Sequence, residues 1–179
     1  MAMTREKIVQ LLVKKKRAEP YLGRSNEALE AVQEAVELYR ILVVESPEAY
    51  NANLAMGLAN LSSRLSALGR LDEALPLVQE AVDIYRALAV EQPVAHNATL
   101  AQMLQNLSRC LVKLGRLDEA LGVNLDQVEM FRALAVDRPA KFNRHLMLSL
   151  SMLGDVMMDL GFEEHFEVAR EANAMREAL

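Results

Sequence analysis

Tryptophan is absent from this chain of 179 residues, and aromatic residues of all kinds make up only 4% of it. Strands favour β-branched and aromatic side chains, so this scarcity argues against a sheet protein. Seven Gly and five Pro are too few for the many turns of an all-β fold. The single cysteine, Cys110, excludes an internal disulfide and any Cys-cluster metal site, and fits a reducing, cytoplasmic setting. Long apolar runs are lacking as well. The stretch IVQLLV near the start is too short to span a bilayer, and KKKR follows it, which reverses the order of a signal peptide. Nor is there an excess of positive charge. The net charge of −5 creates no global field towards nucleic acid or an anionic membrane.

What is present is Ala, Leu, Val and Met, within a hydrophobic share of 52%. These residues suit helices. They are also arranged in copies. Leu22-Gly23-Arg24 recurs as Leu68-Gly69-Arg70, Leu114-Gly115-Arg116 and Leu160-Gly161-Phe162, each step being 46 residues. LGRLDEAL occurs twice, at 68–75 and 114–121. A fixed period in this range predicts an all-α solenoid of supersecondary units, none of which buries its apolar face alone.

Each unit holds two helical stretches. In the first, Leu54, Leu58, Leu61, Leu65 and Leu68 recur at three- and four-residue spacing, one stripe of a 3.6-residue helix. Pro47, Pro93 and Pro139 suit a first turn, where a missing N–H costs nothing, and Ser46 suits the N-cap before it. Gly23, Gly69, Gly115 and Gly161 are expected to stop the first helices in the left-handed conformation. Asn26, Asp72 and Asp118 are expected to cap the second helices. Pro76 is expected to delay its helix by a turn. In the second helices Ala74 and Ala120 let the two backbones approach, and in the first Leu61 and Leu107 form the seam. LGRLDEAL is thus the corner of an antiparallel helical hairpin.

These residues resemble a tetratricopeptide repeat. That pattern places Leu and a small residue mid-helix, a Gly-X-hydrophobic turn, and Ala twice in the second helix. Leu61-Ser62, Gly69-Arg70-Leu71, Ala74 and Ala81 fill those positions; so do Leu107-Ser108, Gly115-Arg116-Leu117 and Ala120, with Gln127 replacing the second Ala. The usual unit is about 34 residues; at 46 this chain is similar to the long-helix variant of kinesin light chain-type repeats. A HEAT or armadillo array falls in the same length range, and the Gly corner followed by an acidic-Ala-Leu helix start argues against it. The resemblance implies a right-handed superhelical solenoid of about eight helices. Residues 1–20 are expected to form a divergent N-terminal capping helix and 21–179 the repeat array. Second helices are expected near 26–45, 72–91, 118–137 and 163–178, first helices near 47–68, 93–114 and 139–160. In the last unit, Phe166 is expected to replace Ala74 and Asn173 to replace Ala81.

No enzyme motif is present. His96, His145 and His165 lie in separate units without metal-ligand spacing, and no base is placed beside Cys110. No cofactor and no metal are expected. Lys14-Lys15-Lys16-Arg17 reads as the solvated end of a capping helix rather than a nucleic-acid anchor, since no aromatics interleave with it.

What remains is surface. The resemblance implies that first helices line a concave groove. Met56, Ala59, Asn60, Ser63, Ser66 and Ala67 would face it in one unit, flanked by Arg64. Gln102, Gln105, Asn106, Arg109, Val112 and Lys113 follow in the next, then Leu148, Ser151, Met152, Asp155, Met158 and Asp159. Such a groove is small and polar first, amide-rich and basic in the middle, and Met-rich and acidic last. Asn60 and Asn106 resemble the asparagines that hold an extended peptide backbone in related grooves. Each such bond nets about 0.5–1.5 kcal/mol, and one to a charged group about 1.5–3 kcal/mol. A micromolar-class peptide, roughly −8 kcal/mol, is the expected ligand. The expected function is a non-enzymatic protein–protein interaction scaffold, with no nucleic-acid or membrane partner. The alternative is a self-assembly or interdomain stacking module, homo-oligomeric through its end units or a fragment of a larger signalling protein.

Overall fold

A computed structural model describes residues 25–178, with side chains from residue 29 onward. The expected N-terminal capping helix and the Gly23 corner lie outside the described residues, as does any capping by Asn26. The described residues form seven helices and no strand: α1 Ser25–Glu45, α2 Pro47–Ala67, α3 Leu71–Glu91, α4 Pro93–Lys113, α5 Leu117–Asp137, α6 Pro139–Asp159 and α7 His165–Ala178. Six of them have 21 residues and α7 has 14. Each helix packs on the next in the chain, and α2 also touches α4. The chain is therefore a solenoid of antiparallel helical hairpins.

The corners follow from glycine. Gly69, Gly115 and Gly161 have φ of +77°, +73° and +80°, which a side chain would disfavour. At the first corner Arg70 N donates to Leu65 O (2.9 Å) and Gly69 N to Ser66 O (3.3 Å), the two bonds of a Schellman cap. The other corners repeat this, with Arg116 N to Leu111 O (3.0 Å) and Phe162 N to Met157 O (2.9 Å). The second helices open differently from the sequence expectation. Arg70 and Arg116 occupy the N-cap positions, so Asp72 and Asp118 fall in the first turn and cap nothing. There their carboxylates still face the positive end of the helix dipole. Ser46 does occupy an N-cap, but its hydroxyl makes no capping bond. Pro76 delays nothing: α3 starts at Leu71 and carries the proline five residues in.

The core is a continuous leucine–alanine seam. Leu58, Leu61, Leu65, Leu104, Leu107 and Leu111 are buried along the first helices, facing Ala74, Val78, Ala81 and Ala120 of the second. Burying each such leucine contributes about 1.5–3 kcal/mol. Small residues let the layers close. Ser62 Oγ donates to Ala74 O (2.8 Å) across the hairpin. In the last hairpin Gly154 takes the Ser62 position, and a Cβ there would lie 3.8 Å from His165 O and from Ala169 N.

That contact resets the last helix. By repeat counting Phe166 should stand where Ala74 does, but Phe166 is 67% exposed and His165 faces Gly154 instead. Likewise Asn173 is exposed, and Ala172 is buried in the place of Ala81. The helix sits one residue out of register because a bulky phenylalanine does not fit the close crossing, where the backbone of His165 and the small Ala169 lie over Gly154.

An ion-pair ladder ties the second helices together. Arg40 Nη1 and Nη2 meet Glu80 at 2.7 and 2.6 Å, Arg86 meets Asp126 at 3.4 Å, and Arg132 meets Glu171 at 2.5 Å. Glu80 and Asp126 are one period apart, whereas Glu171 arrives one residue early, which agrees with the shifted register of α7. All six side chains are roughly half exposed, so the rungs fix alignment more than they add stability.

Candidate binding groove

The first helices present polar side chains on the face opposite their leucines. Met56, Asn60, Ser63, Gln102, Arg109, Lys113 and Asp155 are exposed, while Arg64, Gln105, Asn106 and Met152 are half-buried. Ala59 departs from expectation: it is buried, since the tight spacing of the helices closes over a methyl at that register. Among the remaining positions, Ser66, Val112 and Ser151 are half-buried, and Ala67, Leu148, Met158 and Asp159 are exposed.

One cleft gathers several of these residues. Its volume is about 260 Å³, and it lies between α2 and α4, lined by Ser62, Ser63, Ser66, Ala67, Asn106, Arg109 and Lys113. Two helices supply it because α2 and α4 touch directly. Met152 and Asp155 are not part of it, nor are Met56 and Asn60.

The cations in this cleft differ from those at the two preceding corners. At the corners Arg70 holds Glu73 through two bonds of 2.6 and 2.7 Å, and Arg116 holds Glu119 in the same way. Arg70 thereby keeps the Glu73 carboxyl below the usual carboxylate range. Arg109 has no carboxylate partner among the described residues; its Nη2 donates to Asn106 Oδ1 at 2.9 Å. Lys113 Nζ donates to Ser66 O at 3.3 Å, closing the last turn of α2. The pairing of Arg109 with Asn106 consumes an acceptor of the Asn106 amide and leaves its N–H₂ free to donate. Asn60 makes no hydrogen bond to the described residues, so both halves of its amide face outward. The cleft offers hydroxyls, one amide and two positive charges that no acid among the described residues neutralises.

Sequence reasoning missed the corner Arg–Glu pairs and the ladder, although both recur at the repeat period. The R-x-x-E of the repeated octet was the available signal. It also missed Asn124, and it named Gln127 only as a replacement for the second Ala. They replace Val78 and Ala81, and both are fully buried; Asn124 Nδ2 reaches Met152 O at 3.5 Å, and neither polar atom of the Gln127 amide has a partner among the described residues.

The remaining titratable groups serve packing. His96 meets Tyr85 edge-on, ring centroids 5.9 Å apart, and His145 stacks on Phe131 at 5.3 Å. Burial pushes the Cys110 thiol above its usual range, with Lys113 acting in the opposite sense, so the reactive thiolate is disfavoured. No group of three or more His, Cys, Asp or Glu among the described residues is arranged to hold a metal ion. No described helix is long and apolar enough to cross a membrane.

Comparison with known proteins agrees with this geometry. Residues 54–92 match the tetratricopeptide repeat family. No curated protein matches the chain in sequence. Among solved structures, BtubC (BKLC) from P. vanneervenii superposes with a TM-score of 0.67 at 17% identity, over 97% of this chain and 73% of that one. The nearly identical TPR-like repeats of a putative kinesin light chain from Podosopora anserina superpose with a TM-score of 0.56 at 20% identity, over 96% of this chain and 84% of that one. The matched segment is one hairpin, and the 46-residue period carries its pattern along the array. The chain thus carries a match to the tetratricopeptide repeat at residues 54–92, and its long-helix units have the fold of kinesin light chain-type TPR-like repeats.

Proposed function

We propose that this protein is a non-enzymatic scaffold that holds a segment of another protein in the cleft between its first helices. Repeats of this type generally mediate protein–protein interaction or assembly. The observation that carries the finer reading is the cleft between α2 and α4, with Arg109 and Lys113 uncompensated by any acid among the described residues. Every arginine of the ladder and the two middle corners is matched by a carboxylate. A cation without its acid, beside free amide donors, suits a partner that brings backbone carbonyls and negative charge. Asn60, Ser63, Arg64, Gln102 and Gln105 extend the same polar face, and Met56, Met152 and Asp155 lie further along the first helices.

The test is a double change, Asn106→Ala with Arg109→Glu. The expected result is loss of partner capture from the native host with helicity intact, because both side chains are surface-facing. Capture that survives this change would refute the groove assignment.

The alternative is assembly through the ends of the array. It is favoured by a separate observation, the exposed apolar corner before α7.

A further inference from the structure

The corner between α6 and α7 differs from the other two described. Where they carry Arg70–Glu73 and Arg116–Glu119, it carries Phe162 and His165, with His165 Nδ1 2.6 Å from Phe162 O. Phe162 is 44% exposed, Phe166 67% and Met158 54%. Three large apolar side chains thus open to solvent within one turn-and-corner segment. Around them stand Asp155, Asp159, Glu163, Glu164 and Glu167, all exposed and none in an ion pair with another described residue. Residues 155–167 contain these five carboxylates and no Lys or Arg.

The chain carries the complement at its other end. The segment Arg5–Arg17 reads REKIVQLLVKKKR, with six cations against the single acid Glu6 and five aliphatic residues between. Its net charge of +5 mirrors the −5 of residues 155–167. Apolar side chains framed by one sign of charge, matched to apolar side chains framed by the other, give steering and register together.

We propose that the acidic aromatic corner of Met158, Phe162 and Phe166 docks the basic segment Arg5–Arg17 of a second copy, joining chains head to tail. This deepens the assembly reading and is independent of the groove. Docking of a chain's own segment would leave the protein monomeric at every concentration, which is one of the outcomes the test below reads. Because donor and acceptor surfaces differ, the contact is heterologous and repeats from chain to chain.

Sedimentation equilibrium of the full chain tests this. The expected result is concentration-dependent association whose dissociation constant rises roughly tenfold from low to half-molar salt. Two variants separate the ends: Phe162→Ser with Phe166→Ser removes the corner, and the triple change Lys14→Glu, Lys15→Glu, Lys16→Glu inverts the segment. All five substituted residues carry charge or stand exposed, and circular dichroism checks that helicity is kept. Each variant alone should be monomeric. Their mixture should give a one-to-one heterodimer that grows no further, since it retains one good corner and one good segment. A wild-type chain that stays monomeric at all concentrations overturns the proposal. So does self-association of the lysine variant, which would indicate a symmetric corner-to-corner contact, and so does a mixture that stays monomeric. None of these outcomes bears on the Asn106 and Arg109 test, so failure here is distinguishable from failure of the groove.

Discussion

Gln127 is the position where a conservative change should make this protein more stable. It stands in α5 where Ala81 stands in α3, it is 0% exposed, and neither Nε2 nor Oε1 bonds to a described residue. Burying an amide without hydrogen bonds costs about 1–3 kcal/mol in mutational data on proteins. Methionine has nearly the same length and volume and no strongly polar atom, and its flexible thioether fills irregular space. Gln127→Met should therefore stabilise the chain by about 1–3 kcal/mol. At about 2–4 °C per kcal/mol for a chain of this size, the melting temperature should rise by about 2–12 °C. Gln127→Ala removes the same polar atoms but leaves a hole, and the lost contacts offset much of the gain. The expected order of stability is Met, then Ala, then wild type or close to it. Thermal and urea unfolding followed by circular dichroism measure all three. A Met variant less stable than wild type by about 1 kcal/mol or more would refute the reasoning, because it would mean that the amide is hydrogen-bonded in solution and contributes to stability.

Two further predictions follow from the seam and its corners. Gly115 has φ +73° with nothing within 4 Å of a built Cβ, so substitution there isolates backbone strain. Ala should cost about 1–2 kcal/mol for the left-handed conformation, less about 0.4–1 kcal/mol regained from the unfolded chain. Asn should cost less and Val more, and equal denaturation midpoints for all of them would contradict the strained corner. Leu107, 2% exposed, should lose about 2–5 kcal/mol as Leu107→Ala, with Leu61→Ala similar; losses under about 1 kcal/mol in urea unfolding would place those residues outside the tight seam.

Much of the fold was legible in the sequence because it is written in short-range terms. Leucines at three- and four-residue spacing define a helix face wherever they occur, and a glycine three residues before an acidic-Ala-Leu start defines a corner. Capping was misread for the same local reason. Asp72 and Asp118 are good N-caps by type, but the Schellman cap uses Arg70 and Arg116 backbone N–H groups at once, so the new helix starts two residues sooner than the aspartates imply. The groove residues were legible by type and periodicity, which put them opposite the leucines. Their pairing was not, because Lys113 meets Ser66 from 47 positions away and only packing of α4 on α2 brings them together.

The sequence by itself determined the helices, their alternation and the glycine corners, since each depends on contacts within a few residues of one chain segment. Only tertiary structure decided the register of α7, where the crossing of His165 and Ala169 over Gly154 overrides the count of 46 and turns Phe166 outward. It also decided which charges are matched and which are left over. Arg40, Arg86 and Arg132 find acids about 40 positions away across the second helices, whereas Arg109 and the five carboxylates around the last corner find none among the described residues. Charges meet through space, at distances set by how helices stack, and a linear pattern carries no such distances.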